Sequence, residues 1–326
     1  RTPWVAHTYL GHRNADPRYV IQRPLAVARA ERDLRRTANQ RPQRLLLHRE
    51  ASPVSRGGVE ARLLRRAEFA VYDFDDALQW DDGAGSILRR SFPKAPKALL
   101  AVQLADRVIA GNATLADWAS DHSDDVVIIP SCVSVEDYAE KRDYAVSDPP
   151  RLGWIGTPSE EKQLLSIAEA LSTVHRRTGA RLTIMGGTDR RLGRLERMVD
   201  RLPWSERAQG GFLRTLDIGL MPLVDEPYER GKCGYKLLQY AAAGLPAVAS
   251  PVGVSSDILA LTGMPAPDSE RDWESCLAEL LSVSAEERAW VGSRARTIAQ
   301  MHYSYDAWLL RWERAVGVRA PMPTRG

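Results

Sequence analysis

Glu229-Arg-Gly-Lys232-Cys-Gly-Tyr-Lys236-Leu-Leu-Gln239-Tyr-Ala-Ala-Ala-Gly244-Leu-Pro246-Ala-Val-Ala-Ser250 reads as a glycine-bearing loop that opens a helix, with Lys232 and Lys236 one turn apart. The helix stops at Gly244-Leu-Pro246, where glycine supplies a left-handed cap and proline bars continuation, and Ala247–Ser250 then starts a buried strand. A helix N-terminus with free amides and two lysines suits an anionic, phosphate-bearing ligand. A surface helix with solvated lysines is the alternative. Scarcity weighs against it: of 45 Lys and Arg only six are lysines (Lys94, Lys97, Lys141, Lys162, Lys232 and Lys236), and two of the six lie here. The segment is not a P-loop, because Glu226 stands where the upstream glycine is needed and Cys233 replaces the Ser or Thr that would bind magnesium.

At 326 residues the chain exceeds what one core usually serves, so two domains of roughly 150 residues each are expected. The net charge of +3 is too small to argue for nucleic acid, and no stripe of Lys/Arg interleaved with aromatics offers a path for a single strand. Cys132, Cys233 and Cys276 are widely spaced without a CxxC, so neither a disulfide framework nor a zinc site is indicated and a reducing cytoplasm fits. No apolar run approaches the roughly 20 residues of a membrane span, and Arg1 to Leu10 lacks a signal-peptide core. A cytoplasmic protein without an integral membrane segment is expected, as a monomer or homodimer.

Strand-like runs alternate with helical patterns, the signature of βαβ units and parallel sheets. In the first half the candidate strands are Arg44–His48, Phe69–Asp73, Arg107–Ala110 and Val126–Pro130. Tyr144-Ala-Val-Ser-Asp-Pro-Pro150 is polar and proline-bearing and reads as a linker. The alternation restarts with strand Arg151–Ile155, helix Glu160–Arg177, strand Arg181–Met185, helix Leu192–Leu202, strand Asp217–Pro222, the lysine helix and strand Ala247–Ser250. Helices are then expected over Trp273–Leu281, Ala285–Gln300 and Tyr305–Val316, the second opened by the capping-box spacing of Ser284 and Glu287.

Strand Arg151–Ile155 runs into Gly156-Thr157-Pro-Ser159 and a helical first turn carrying Lys162, a geometry that presents amides and a cation to phosphate. Glu160 and Glu161 would repel an anion unless they face away, and acidic first-turn residues also serve the helix dipole. No GxGxxG occurs, which disfavours a dinucleotide. In the first half, Asp73, Asp75 and Asp76 end a strand and point at the crevice where open α/β sheets bind ligands. A solvated turn with Asp76 as a helix cap is one alternative, and a DxD pair holding a divalent ion under a sugar diphosphate is another. Arg49-Glu50 after a strand and Ser55-Arg-Gly-Gly58 before a helix are further candidates for this crevice, and Asn112 is placed to cap a helix and face it. The six histidines show no metal spacing, and a Gly-x-Ser-x-Gly elbow is absent.

With these residues assembled, the chain resembles the family 4 glycosyltransferases of GT-B architecture, most strongly from about Ala105 to Gly253. The resemblance rests on Leu152-Gly-Trp-Ile-Gly156, Asp217-Ile-Gly-Leu-Met-Pro-Leu223, Glu229 to Tyr240, Asp106-Arg-Val-Ile-Ala-Gly-Asn112 and Val71-Tyr-Asp-Phe-Asp-Asp76, and it is especially close to a bacterial subgroup with the Gly-Lys-Cys-Gly-Tyr-Lys-Leu-Leu-Gln-Tyr run. It implies two facing Rossmann-like α/β domains with a central cleft: residues 1–147 for the acceptor, 148–302 for the donor nucleotide sugar, and 303–326 as a C-terminal helix returning to the first domain.

The resemblance also implies roles. Lys162 matches the lysine that holds the diphosphate, whereas Thr157 stands where an arginine is usual, so charge is expected from Lys232 or Lys236. The family's two glutamates, eight positions apart, fall on Gly231 and Gln239. Gln239 can still serve ribose hydroxyls, and the sugar contact passes to Glu229 or to the amides of Gly231, Lys232, Cys233 and Gly234 beside Tyr235 and Lys236. Asp75 and Asp76 fall roughly where relatives carry a histidine near sugar and acceptor, with Arg49 and Asn112 on the acceptor side.

The implied activity is retaining, metal-independent transfer from a UDP- or GDP-sugar to a small-molecule or glycan acceptor, without cofactor and with Asp75, Asp76, Lys162 and Lys236 nearest the chemistry. A nucleotide-sugar-binding partner or sensor without transfer activity is the second reading, motivated by the two replaced glutamates, and a nucleotide-sugar epimerase or hydrolase is the third.

Overall fold

The computed structural model describes residues 9, 20–81, 90–187 and 191–318, so the end of the expected C-terminal segment, 319–326, lies outside the described residues. The chain forms two compact units, one of residues 1–130 with 310–326 and the other of residues 131–309. No helix among the described residues is long and apolar enough to cross a membrane.

In the first unit β1 (Arg44–His48), β2 (Phe69–Phe74), β3 (Arg107–Ala110) and β4 (Val126–Ile128) form a parallel sheet in the order β1-β2-β3-β4. Helix α1 (Pro24–Asn39) precedes β1, and helices α2 (Gly58–Arg66), α3 (Ala95–Leu104) and α4 (Ala113–Ser120) lie in the connections between the strands. The strands read as nearly unbroken apolar runs because a parallel sheet is covered on both faces: Ala70, Val71, Tyr72 and Phe74 of β2 are all buried. Asn112 starts α4 as expected, its Oδ1 accepting from the Leu115 amide at 3.0 Å.

The second unit holds a parallel sheet of β5 (Arg151–Ile155), β6 (Arg181–Met185), β7 (Val199–Leu202), β8 (Ile218–Met221) and β9 (Ala247–Ala249) in the order β7-β6-β5-β8-β9. Its helices are α5 (Ala168–Thr178), α6 (Glu206–Phe212), α7 (Pro227–Arg230), α8 (Tyr235–Ala243), α9 (Ser255–Thr262), α10 (Glu270–Ser282) and α11 (Ala285–His302). Helix α8 is buried from Leu237 to Ala243, and its small alanines let it pack closely. It ends where Gly244 turns to φ 67°, a conformation that a side chain would oppose.

Two expected elements differ. The charged run Leu192–Leu202 is a 3-10 turn, Gly193–Arg197, followed by edge strand β7. An edge strand buries little, so its polar residues mimic a helix face; Arg181 on β6 pairs with Asp200 on β7, with Nε to Oδ2 at 2.9 Å. The expected helix Glu160–Arg177 begins as a 3-10 stretch, Glu161–Ile167, before α5.

Residues 131–147, expected in the first domain with a linker over Tyr144–Pro150, fall in the second unit. Val133, Val135 and Tyr138 are buried in its core, and the Tyr144 hydroxyl donates to the Gly244 carbonyl at 2.8 Å. The carboxylate of Asp217 then pins the amides of Ser147 (3.2 Å) and Arg151 (2.7 Å).

Helix α12 (Tyr305–Ala315) carries the chain across the division at Leu309/Leu310. Within the first unit Ala315 and Val316 are buried with Val71 and Ile109, Trp312 packs against them, and Arg107 donates to the carbonyl of Arg314 at 3.2 Å. Tyr305 and Leu309, expected on the same apolar face, are 60% and 46% exposed.

Candidate functional site

The strand order of the second unit reverses between β5 and β8, which makes the carboxyl ends of these two strands the place where an open α/β sheet binds ligands. Gly156 and Thr157 follow β5, and Pro222 to Asp225 follow β8. Gln163 ties these ends together: its Oε1 accepts from the Val224 amide at 3.2 Å and its Nε2 donates to Glu229 Oε1 at 2.9 Å. Glu229 is buried, and its second oxygen, Oε2, has no hydrogen-bond partner among the described residues.

Lys232 and Lys236 converge here on one carboxylate. Lys232 Nζ lies 2.8 Å from Glu160 Oε1, and Lys236 Nζ lies 2.9 Å from Glu160 Oε2. Of the two glutamates that would repel an anion unless they face away, Glu160 faces the lysines. Glu161 does turn away: it is fully buried and paired with Arg201. Burial pushes the Glu160 carboxyl up, but Lys236 and Lys232 outweigh it and hold it far below the usual carboxylate range. Thr157 Oγ1 donates to the same Oε2 at 3.1 Å. Lys236 also lies over the buried Trp154 ring, 5.5 Å from its centroid, and Lys232 over Tyr228 at 5.2 Å.

The other residues expected on the donor side lie in the same unit. Lys162, two positions beyond Glu160, is exposed and forms no ion pair among the described residues. Cys233 is buried, Gly231 and Gly234 flank it in the loop, and Tyr235 is the half-exposed first residue of α8. Gln239 is buried and donates to the Tyr138 hydroxyl at 2.9 Å. Gln209 donates to that hydroxyl at 2.8 Å, and its Oε1 accepts from the Trp204 indole at 2.8 Å. Tyr138, Gln209, Trp204 and Gln163 were not candidates from sequence. The 2.8 Å contact of Gln209 to Tyr138 spans 71 positions and the Gln239 contact spans 101, so no local spacing announces them.

In the first unit the carboxyl edge of the sheet gathers Arg49 after β1, Asp75 and Asp76 after β2, and Asn112 after β3. Arg49 Nε lies 2.5 Å from Asp75 Oδ1, and His48 Nδ1 lies 2.9 Å from Asp73 Oδ2. Burial raises the Asp75 carboxyl, and Arg49 and His48 more than reverse this, so its pKa lies below the usual value. Burial lowers His48, and the Asp73 hydrogen bond with the Asp73 and Asp75 charges more than reverses that, leaving its pKa raised. Arg49 has φ 55°, unusual for a residue with a Cβ, and is fixed there by its amide on the Asp73 carbonyl (2.8 Å) and the Tyr72 hydroxyl on its own carbonyl (3.0 Å). Asp76 Oδ1 accepts from the Ala77 amide at 3.2 Å. Asp75 is thus already paired with the Arg49 guanidinium and Asp73 is hydrogen-bonded to His48, which leaves a DxD metal pair less free carboxylate to offer.

Residues 149–282 match the family model of the group 1 glycosyl transferases. No curated protein sequence matches the chain. Among solved structures, Anabaena Alr3699/HepE, in complex with UDP and glucose, is 16% identical with a TM-score of 0.66 over 92% of this chain and 83% of that one. S. aureus TarM, crystallised as a point mutant with fondaparinux, alpha-GlcNAc-glycerol and UDP, is 15% identical with a TM-score of 0.64 over 90% of this chain. The chain spans 59% of the TarM chain's length. WaaG, a glycosyltransferase involved in lipopolysaccharide biosynthesis, is 16% identical with a TM-score of 0.58, covering 89% of this chain and 96% of that one. The fold is that of the GT-B glycosyltransferases, with two parallel-sheet α/β domains.

Proposed function

We propose that this chain is a retaining, metal-independent glycosyltransferase that moves a sugar from a UDP- or GDP-sugar to a small-molecule or glycan acceptor. The observation that carries the reading is the convergence of Lys232 and Lys236 on one point at the β5/β8 switch. Two ammoniums fixed there stabilise the charge that develops on a departing nucleoside diphosphate, and a positioned acceptor attacks from the face the diphosphate leaves. Gln239, buried and hydrogen-bonded, serves the ribose, and Glu229 Oε2, a carboxylate oxygen without a hydrogen-bond partner among the described residues, serves a sugar hydroxyl. On the first unit, Asp75 and Asp76 orient the acceptor. UDP in the HepE and TarM complexes supports a nucleotide donor.

Incubation with a panel of UDP- and GDP-sugars, with and without EDTA, tests this. Slow donor hydrolysis or transfer that survives EDTA is expected. Loss of activity restored by manganese would instead make Asp73 and Asp75 metal ligands. Tight binding without turnover of any donor would favour the second reading, a nucleotide-sugar-binding sensor, which Gly231 and Gln239 in place of the family's glutamates motivate.

A further inference from the structure

The two lysines assigned above to the diphosphate already hold an anion of the chain's own. Glu160 spans them with one oxygen each, at 2.8 and 2.9 Å, and all three side chains are mostly buried, with 15%, 14% and 23% exposure for Lys232, Lys236 and Glu160. Its framework neighbours are locked elsewhere, Glu161 to Arg201 and Gln163 to Val224 and Glu229. Among the described residues the polar contacts of the Glu160 carboxylate are confined to the two lysines and Thr157, whose amide is at 3.4 Å and hydroxyl at 3.1 Å. Thr157, Pro158 and Ser159 before it are exposed. The carboxylate can therefore leave the lysines by side-chain rotation or movement of this short turn while the crevice behind it keeps its shape.

Resting on the donor reading, we propose that Glu160 is a built-in counter-ion of the phosphate subsite: a ligand binds by displacing its carboxylate from Lys232 and Lys236, and Glu160 thereby sets how much negative charge the ligand must bring. The two lysines and Glu160 together carry one positive charge. A singly charged anion replaces one carboxylate by its equivalent and gains little, whereas a diphosphate brings at least two charges to two ammoniums and gains from the exchange. Glu160 is thus a specificity-determining residue that favours diphosphates over phosphate and other small anions.

Calorimetry of the wild-type chain and of Glu160→Gln with UDP, GDP and inorganic phosphate, at a mildly acidic pH where inorganic phosphate is mostly singly charged and at low and high salt, tests the proposal. Expected is tighter binding of the diphosphate by the variant, roughly five- to twentyfold at low salt, as two partly buried ion pairs no longer compete. Inorganic phosphate should become a measurable ligand of the variant alone, and the variant's affinity should fall more steeply with salt. In steady state the donor KM should drop without a matching rise in kcat. A residue that merely holds the lysines in place would show the opposite sign, and a variant that binds diphosphate equally or more weakly overturns the proposal while leaving the donor reading intact. Absence of UDP and GDP binding by both proteins overturns the donor reading and this inference with it. Glu160→Ala provides the same test should Glu160→Gln melt early.

Discussion

Replacing Gly156 by alanine tests the packing that sets Lys236 in place. A Cβ at this position would lie 2.5 and 2.6 Å from Cη2 and Cζ2 of Trp154 and 2.7 Å from Cε of Lys236, each closer than real Cβ contacts allow. Trp154 is 1% exposed inside the core built from β5, β6 and β8, so its ring has no room to retreat. The adjustment falls on the backbone and on the flexible Lys236. Overpacking of this kind costs about 1–3 kcal/mol, opposed by about 0.4–1 kcal/mol gained from a stiffer unfolded chain, for a net loss of up to roughly 2.6 kcal/mol. That corresponds to a lowering of the melting temperature by up to about 10 °C for the unit concerned. Gly211→Ala is the control, since a Cβ there meets nothing within 4 Å and helix propensity favours alanine. Thermal melts followed by circular dichroism, with and without UDP, should show Gly156→Ala melting early and gaining less from UDP than wild type, while Gly211→Ala melts at or above it. A Gly156→Ala protein with wild-type melting and wild-type UDP affinity would refute the argument.

Lys236→Ala should weaken nucleoside diphosphate binding by about 1.5–3 kcal/mol in calorimetry, the range of a charge-assisted hydrogen bond, whereas Arg177→Ala, which breaks only an exposed pair with Glu274, should leave it unchanged. Arg288→Met should destabilise the second unit by about 3–5 kcal/mol in denaturant titrations, because this buried guanidinium donates to the carbonyls of Tyr144, Leu280 and Val283 and its loss leaves them unpaired. His48 should titrate above its ordinary 6.5 by NMR, and Asp73→Asn should bring it down. Since the raised value belongs to the folded state, the stability that wild type holds over Asp73→Asn should be full below the unfolded pKa of about 6.5 and decline as pH rises through the folded value.

Where local rules and tertiary packing agree, the fold is legible in the sequence. Helix α8 can be placed from its residues because glycine, leucine and proline stop it at Gly244 while its alanines and leucines fit a buried helix, and both demands point the same way. Strand β7 cannot, because an edge strand needs little apolar surface and its charges have helical spacing. The apolar stripe of α12 reads as one face awaiting one partner, yet the helix passes from one unit to the other at Leu309/Leu310, so Trp312 and Val316 find a core that Tyr305 and Leu309 do not share. Of the site, the lysines are visible as rare residues at a loop-to-helix junction. The roles of Glu160, Gln163 and Tyr138 are not, because their partners lie 61 to 101 positions away and only the folded sheet brings them together.

Arginine dominates the cations of this chain, so lysine at the two positions proposed to face phosphate calls for a physical reason. A guanidinium beside Glu160 would form a planar, two-bonded pair with the carboxylate, with its geometry fixed and its donors satisfied. An ammonium is a compact point charge on a flexible stem, and its attraction depends on distance more than on orientation. Lys232 and Lys236 can therefore exchange a carboxylate for phosphate oxygens with little rearrangement, each with its ammonium over an aromatic ring, Tyr228 or Trp154. The bare Cα of Gly156 is what lets Lys236 lie that close to Trp154. The acidic neighbour, the lysines and the glycine thus form one device: a charged crevice that keeps its cations satisfied in the absence of ligand and yields them to an anion of higher charge.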